Sequence, residues 1–147
     1  MSTTPACLTV VTLGVADVGK SIKFYEALGL QRRMKSAGDD IAFFAAGGVV
    51  IGLWSWEMLA EDAGVASVPR PEAFRGMTLA WNRATAAEVD AAFAHAVKAG
   101  ANSLKAPEKT FYGGYRGYFA DPDGHVWEVV TAPGIQVLPD GRVALPD

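Results

Sequence analysis

The feature that most constrains this chain is an internal repeat, in which one order of predicted elements occurs twice within 147 residues. A strand rich in β-branched residues, a helix and three shorter strands occupy about residues 8–63, and a helical turn closes this segment. The same order of strand, helix and three strands begins again over about 76–131. Period-2 alternation predicts the strands, and a 3.6-residue apolar stripe predicts the helices. The sequence therefore predicts two diverged copies of one βαβββ unit.

The two predicted helices have the clearest boundaries. Asp17 precedes the first helix as an N-cap, and Gly29 ends it. Thr85 and Glu88 form a capping-box pattern before the second helix, which Gly100 ends. Each helix is expected to pack one apolar face against a sheet. The residues of these faces are Ile22, Tyr25 and Leu28 in the first helix, and Val89, Phe93, Ala96 and Val97 in the second.

The remaining segments predict how the two units are joined. Residues 64–75 contain two prolines and are expected to form a linker, and residues 132–147 form a tail with a short hairpin pattern. The Asp-Pro-Asp-Gly sequence at 121–124 is typical of a hairpin turn. Neither unit can bury both its sheet and its helix alone, so residues 1–147 are expected to form a single domain.

Composition excludes several classes of partner. The net charge is −3 and no run of like charges occurs, so nothing favours nucleic acid or an anionic membrane. No apolar run reaches the length of about 18 residues that a membrane span requires. Cys7 is the only cysteine, so an internal disulfide is impossible. The first residues lack the pattern of a signal peptide, and we therefore expect a cytoplasmic protein.

Three segments of the chain, in this order and at these spacings, resemble the vicinal oxygen chelate superfamily of glyoxalases, bleomycin resistance proteins and extradiol dioxygenases. They are the opening strand and helix over 11–25, the segment 88–101, and Tyr-Phe-Ala-Asp-Pro-Asp-Gly-His-Val-Trp-Glu at 118–128. The resemblance covers about residues 8–131. It implies an α+β fold in which paired βαβββ modules form a curved mixed sheet around a groove. It implies no particular reaction, because the fold hosts many.

The resemblance also implies where a metal would be bound. Metal-dependent members carry His or Glu ligands at four strand positions, which leave coordination sites open for a substrate. Here these positions fall on Val10, Gly52, Thr78 and Glu128. Only Glu128 has a ligating side chain. His95 lies on the polar side of its helix, and His125 alternates to the face opposite Glu128, so neither replaces a missing ligand. No metal and no other cofactor is therefore expected.

Strand alternation predicts the lining of the groove. The residues that share the face of Glu128 are Val10, Thr12, Trp54, Thr78 and Asn82, and the loop 111–116 adds a rim with Tyr112, Tyr115 and Arg116. Apolar bulk with a few polar groups suits a small organic ligand. Alternatives remain for each group. Trp54 could instead pack within the sheet or against a second copy, the loop could plug the groove, and the hydroxyl and amide groups could bond one another or water.

Glu128 admits three interpretations. Burial in an apolar groove could make it a general acid or base with a pKa nearer neutrality. It could instead anchor a basic group of the ligand. Its carboxylate could also form an ion pair with Arg83 or Arg116 and have no role in binding.

Three classes of function follow from the sequence. The leading hypothesis is a metal-free protein that binds a small molecule, such as an antibiotic or an aromatic metabolite, and resembles the drug-sequestering members of the superfamily, which bind as homodimers. The alternative is a glyoxalase-like lyase, isomerase or dioxygenase, which would use an unforeseen set of metal ligands or Glu128 as an acid or base. The third is a partner-binding module, for which Trp56 is the visible candidate contact.

Overall fold

The computed structural model describes residues 4–67 and 73–147, so part of the predicted linker lies outside the described residues. Both repeated units form in the predicted order. The elements of the first unit are β1 (Val10–Val15), α1 (Val18–Leu28), β2 (Gln31–Arg33), β3 (Ile41–Ala46), β4 (Val49–Ser55) and α2 (Trp56–Ala63). Those of the second unit are β5 (Thr78–Asn82), α3 (Ala86–Lys98), β6 (Asn102–Lys109), β7 (Tyr115–Ala120) and β8 (Val126–Thr131). The tail forms the predicted short hairpin, β9 (Gln136–Val137) and β10 (Val143–Ala144).

The strands of each unit form a four-stranded mixed sheet. Sheet 1 has the order β1-β4-β3-β2, and sheet 2 has the equivalent order β5-β8-β7-β6. In each sheet the first strand pairs in parallel with the last, and the other neighbours are antiparallel. The predicted α+β class is confirmed. Within the described residues the two sheets are separate, so β1 and β5 each keep one edge that pairs with no strand.

Local signals account for the ends of the helices. The Asp17 carboxylate accepts a hydrogen bond from the Lys20 amide at 3.0 Å, and Gly29 ends α1 at a φ of 112°, which favours glycine. The predicted capping box of α3 is formed by Thr85 and Glu88. The buried face of α3 includes Val89, Phe93 and Ala96, as predicted. Val97 lies outside this face and is 42% exposed. The longest helix in the described part of the chain, α3, is too short to cross a membrane.

A single hydrophobic core lies between the two sheets. Sheet 1 contributes Leu13, Phe44 and Leu53, and sheet 2 contributes Phe119, Trp127 and Val129. The α1 helix connects both halves of this core, because the Tyr25 ring lies 6.0 Å from the rings of Phe44 and Trp127. The inner faces of both sheets therefore point towards one core. Their outward faces, which carry the alternate residues of each strand, point away from each other.

Candidate functional site

The outward face of sheet 2 brings together four predicted residues, three of them predicted by strand alternation and Arg116 as part of the loop rim. Thr78 and Asn82 lie on β5, Arg116 on β7 and Glu128 on β8, all on the face opposite the buried Phe119, Trp127 and Val129. Tyr118 lies on the same face. These residues are exposed or half-buried. The face therefore carries the Glu128 carboxylate, the Tyr118 phenol and the Arg116 guanidinium among small and aliphatic side chains, and its β6 edge adds Lys105 and Glu108.

The partner of Glu128 is Tyr118. The two residues are directly opposite in the β7–β8 register, and the Tyr118 hydroxyl donates to Glu128 Oε2 at 2.9 Å. The suggested pairing with an arginine is wrong. Arg83 forms its ion pair with Glu88, and Arg116 forms its own with Glu108 while lying 5.5 Å from the Tyr118 ring. The connection between β7 and β8 spans five residues, 121–125, and this register places 118 opposite 128. Counting outward from the expected four-residue turn at 121–124 pairs 118 with 127, so the sequence prediction could not identify this partner.

The phenol of Tyr118 is held in its donor form. Partial burial raises the pKa of Tyr118 first, and the hydrogen bond to Glu128 and the charge of that carboxylate raise it further. The hydroxyl therefore keeps its proton and orients one oxygen of Glu128. The other oxygen, Oε1, has no hydrogen-bond partner within the described residues. A carboxylate with one oxygen fixed and the other available is suited to accept a hydrogen bond from a bound molecule.

The outward face of sheet 1 carries the other predicted groove residues. Val10, Thr12 and Trp54 share this face with no ionisable group among them, and Val10 is 43% exposed. Helix α2 covers one end of this face with Trp56. The Trp56 ring lies so close to β1 that a Cβ added at Gly14 would be 3.0 Å from it. Trp56 is half-buried in this contact, and Arg75 lies 5.4 Å from its ring. Trp56 is thus engaged within the chain, which removes the observation that motivated a partner-binding module.

One chain does not unite the two sets of predicted residues, because the outward faces point away from a common core. Tyr115 is a further correction. It lies on the inner side of β7, where its hydroxyl donates to Asp90 on α3 at 2.7 Å, and this hydrogen bond is the main cause of its raised pKa. Alternation along β7 gives Tyr115 the parity of the buried Phe119. Tyr112 is 46% exposed and Phe111 fully exposed, so the loop plugs neither face within the chain.

The four positions that the resemblance assigns to metal ligands are not brought together within one chain. Val10 and Gly52 lie on sheet 1, whereas Thr78 and Glu128 lie on sheet 2. A carboxylate side chain at position 52 would also require a shift, because its Cβ would lie 3.0 Å from Thr12 Oγ1. The part of the chain that the structure describes contains no group of three His, Cys, Asp or Glu residues that could hold a metal. The residues present do not fit a His and carboxylate metal centre.

A buried polar cluster at the β7–β8 turn was missed by the sequence analysis, which treated 121–124 only as a turn. Asp121 accepts hydrogen bonds from the amides of Asp123 (2.9 Å) and His125 (2.8 Å) and from the Tyr25 hydroxyl (2.7 Å). Asp123 accepts from the Ala16 amide (2.8 Å) and the Ser21 hydroxyl (3.0 Å). We call Asp121, Asp123, His125, Ser21 and Tyr25 the polar latch. It joins the second unit to α1 and to the residue that follows β1.

His125 completes the latch and is confirmed to face away from Glu128. Its Nε2 contacts the Gly14 carbonyl at 2.8 Å, and its Nδ1 contacts Arg75 Nη1 at 3.1 Å. Because the carbonyl can only accept, Nε2 carries the hydrogen and Nδ1 accepts from the guanidinium. Both ring nitrogens are therefore engaged, and the histidine has a structural role in this latch.

Comparison with known proteins places these features in a wider group. The family model described as the Glyoxalase/Bleomycin resistance protein/Dioxygenase superfamily matches residues 8–129. A crystal structure of a glyoxalase-related enzyme from Fulvimarina pelagi is 35% identical, with a TM-score of 0.83 over 96% of this chain and 99% of that one. A glyoxalase/bleomycin resistance protein/dioxygenase from Nocardioides is 25% identical, with a TM-score of 0.71 over 90% and 91% of the two chains. No protein with a curated description matches the chain.

Proposed function

Because the chain belongs to the glyoxalase/bleomycin resistance protein/dioxygenase superfamily, we propose that it binds a small organic molecule without a metal ion. The outward face of sheet 2 forms the polar wall of the groove. The observation that carries this proposal is Glu128, whose Oε2 is fixed by Tyr118 while Oε1 has no partner within the described residues. A half-buried carboxylate of this kind favours a ligand with a basic or hydrogen-bond-donating group.

The surroundings of Glu128 narrow the class of ligand. Arg116 is engaged by Glu108 and lies against the Tyr118 ring, so it does not neutralise Glu128. Ala80 and Val126 lie on the same face and provide apolar contact area. A planar aromatic cation satisfies both features, because its ring contacts the apolar part of the face while its charge pairs with the carboxylate.

The second wall of the groove comes, in this proposal, from the outward face of sheet 1 of a second copy. That face carries Val10, Thr12 and Trp54, and it cannot reach Glu128 within its own chain. Exposed apolar residues such as Val10 also favour a covered face. We therefore propose a cytoplasmic homodimer with two equivalent grooves. Light scattering at working concentration should give twice the mass of the chain, and a monomeric mass would contradict this arrangement.

Binding of proflavine, a fluorescent planar cation, tests the role of Glu128. In fluorescence titrations Glu128→Gln is expected to weaken binding by about tenfold or more, because the charge is lost from the groove. Tyr118→Phe should weaken binding less, since the carboxylate remains but is no longer oriented. Glu26→Gln is the matched control, because it makes the same change of charge on an exposed position of α1. Equal affinity in wild type and Glu128→Gln would refute the proposal.

Metal content tests whether the protein binds its ligand without a metal ion. Elemental analysis of untagged protein purified without chelators should give less than about a tenth of an equivalent of divalent metal, because only one of the four ligand positions can coordinate. Near one equivalent of zinc, nickel, iron or manganese, together with loss of proflavine binding after chelation, would reject metal-free binding.

A second candidate function is metal-free acid–base catalysis. It is favoured by the 2.9 Å hydrogen bond between Tyr118 and Glu128, which places a phenol and a carboxylate side by side on a face open to a ligand. Under this alternative Glu128→Gln abolishes turnover of a superfamily substrate, such as the hemithioacetal of methylglyoxal and glutathione, and leaves its affinity largely intact. Absence of turnover in the wild type leaves binding as the function.

A further inference from the structure

A second concave region lies between the two sheets, on their inner sides and away from Glu128. It has a volume of about 680 Å³. Its walls are mainly aliphatic and aromatic, and they include Val11, Leu28, Ile51, Leu79, Trp81 and Trp127. The C-terminal hairpin contributes another wall through residues 140–143, and the Arg142 side chain lies 3.5 Å from where a Cβ of Gly48 would be. The tail therefore reaches back to the β3–β4 turn of the first unit and borders this inter-sheet cavity.

The main chain of β5 forms one wall of the inter-sheet cavity. All five residues of β5 line it, although Thr78, Ala80 and Asn82 carry their side chains on the outward face. The Arg83 amide donates to the Val130 carbonyl of β8 at 2.7 Å. Because N–H and C=O groups alternate sides along a strand, those of Leu79 and Trp81 also point to β8. The N–H and C=O groups of Thr78, Ala80 and Asn82 therefore point to the unpaired edge, which borders the cavity.

We propose that the inter-sheet cavity binds an uncharged, planar heterocycle with a lactam or imide edge. Such an edge presents N–H and C=O groups side by side and can pair with the free edge of β5, as a neighbouring strand would. The two indoles and the aliphatic walls suit a flat, apolar ring system. The charged residues of the C-terminal wall, Asp140 and Arg142, are paired with each other at 2.7 Å, which favours a neutral ligand. The volume is that of a site for a drug-sized molecule.

Equilibrium dialysis with two tricyclic probes tests this proposal on the full chain. Lumichrome carries an imide edge, whereas phenazine is a flat tricycle without one. Lumichrome is expected to bind about tenfold more tightly than phenazine or better, because phenazine leaves the main-chain edge unpaired. Equal binding of the two probes, or binding of neither, would overturn the proposal.

Two substitutions locate the bound probe. Val49 lines the inter-sheet cavity, whereas its neighbour Val50 lies on the outward face. Val49→Trp is expected to weaken lumichrome binding by about tenfold or more by filling the cavity, and the matched Val50→Trp should change it by less than about twofold. An unchanged affinity in Val49→Trp would reject the site.

Ala80→Pro tests the main-chain contact itself. It removes an N–H group that no strand within residues 4–67 and 73–147 uses, at an edge position where proline is tolerated. The selectivity for lumichrome over phenazine should then be lost while the melting temperature changes little. A shift from dimer to monomer in Ala80→Pro would instead show that the edge pairs with a second copy, which contradicts the proposal. If this variant does not fold, the comparison of Val49→Trp with Val50→Trp decides the outcome.

Discussion

The β3–β4 turn of the first unit and the β7–β8 turn of the second occupy equivalent positions in the repeat but have opposite environments. Gly47 and Gly48 form an exposed turn. A Cβ added at either glycine would meet only the Arg142 side chain. The turn at 121–125 is buried and accepts hydrogen bonds from the start of α1. The two units share one strand order, but only the turn of the second unit carries side chains that bind the other unit.

The outward faces have diverged at equivalent positions too. In the second unit Tyr118 lies opposite Glu128, whereas the corresponding pair in the first unit is Phe43 and Gly52. A phenol and a carboxylate thus stand where the other sheet has an apolar ring and no side chain. At this pair of positions the polar groups belong to sheet 2, and a groove that combines both faces would have a phenol and a carboxylate on one wall opposite an aromatic ring on the other.

The largest expected effect concerns the two turns. Asp121→Ala is expected to lower the free energy of unfolding by about 3–5 kcal/mol, because it leaves buried amide and hydroxyl donors without an acceptor. The matched change in the first unit, Gly48→Ala, should cost less than about 0.5 kcal/mol, since its Cβ meets only an ordinary contact. Urea unfolding measures both. Similar losses in the two variants would show that the turns do not differ in the way described.

The buried Tyr25 of the latch is expected to lower stability at alkaline pH more than the half-exposed Tyr118 does. Burial, then the charge and hydrogen bond of Asp121, raise the pKa of Tyr25 well above its ordinary value of 10.0. Above pH 10 the unfolded chain loses this proton while the folded chain keeps it, so stability falls as the pH rises. One such group contributes at most about 1.4 kcal/mol per pH unit. The free energy of unfolding, measured in urea between pH 9 and 11, should therefore decrease less steeply with pH in Tyr25→Phe than in Tyr118→Phe. Equal slopes in these two variants would contradict the difference in burial.

The smallest expected effect concerns the helix caps of the two units. Thr85→Ala and Asp17→Ala each remove a side-chain acceptor and should each cost about 1 kcal/mol in thermal or urea unfolding. Thr85→Ala should cost no less than Asp17→Ala, because Thr85 belongs to a reciprocal capping box with Glu88. A clearly larger loss in Asp17→Ala would show that the cap of the first unit also supports the nearby latch.

The sequence-based predictions were correct where the interactions join residues that are close in the sequence. The ends of α1 and α3 were correct, because Asp17 and Thr85 act on amides three residues away. Alternation assigned the predicted residues of the strands to the correct faces, whereas the loop-rim prediction was wrong for Tyr115, which lies on the inner side of β7. Of the three interpretations of Glu128, the ion pair with Arg83 or Arg116 was wrong, because both arginines bind other carboxylates and the sequence offered no measure of that competition.

The sequence by itself determined the repeat, the order of the elements, the caps and the absence of ligating side chains at Val10, Gly52 and Thr78, because each of these depends on residue type and local spacing. Only the tertiary structure decided that the outward faces point apart and that the turn at 121–125 is buried. The contacts responsible join residues far apart in the chain, as in Tyr25 with Asp121 and Gly14 with His125, 96 and 111 positions apart. Contacts at that separation form only when two units with separately encoded sheets pack around one core, and no local pattern specifies which buried donor meets which acceptor.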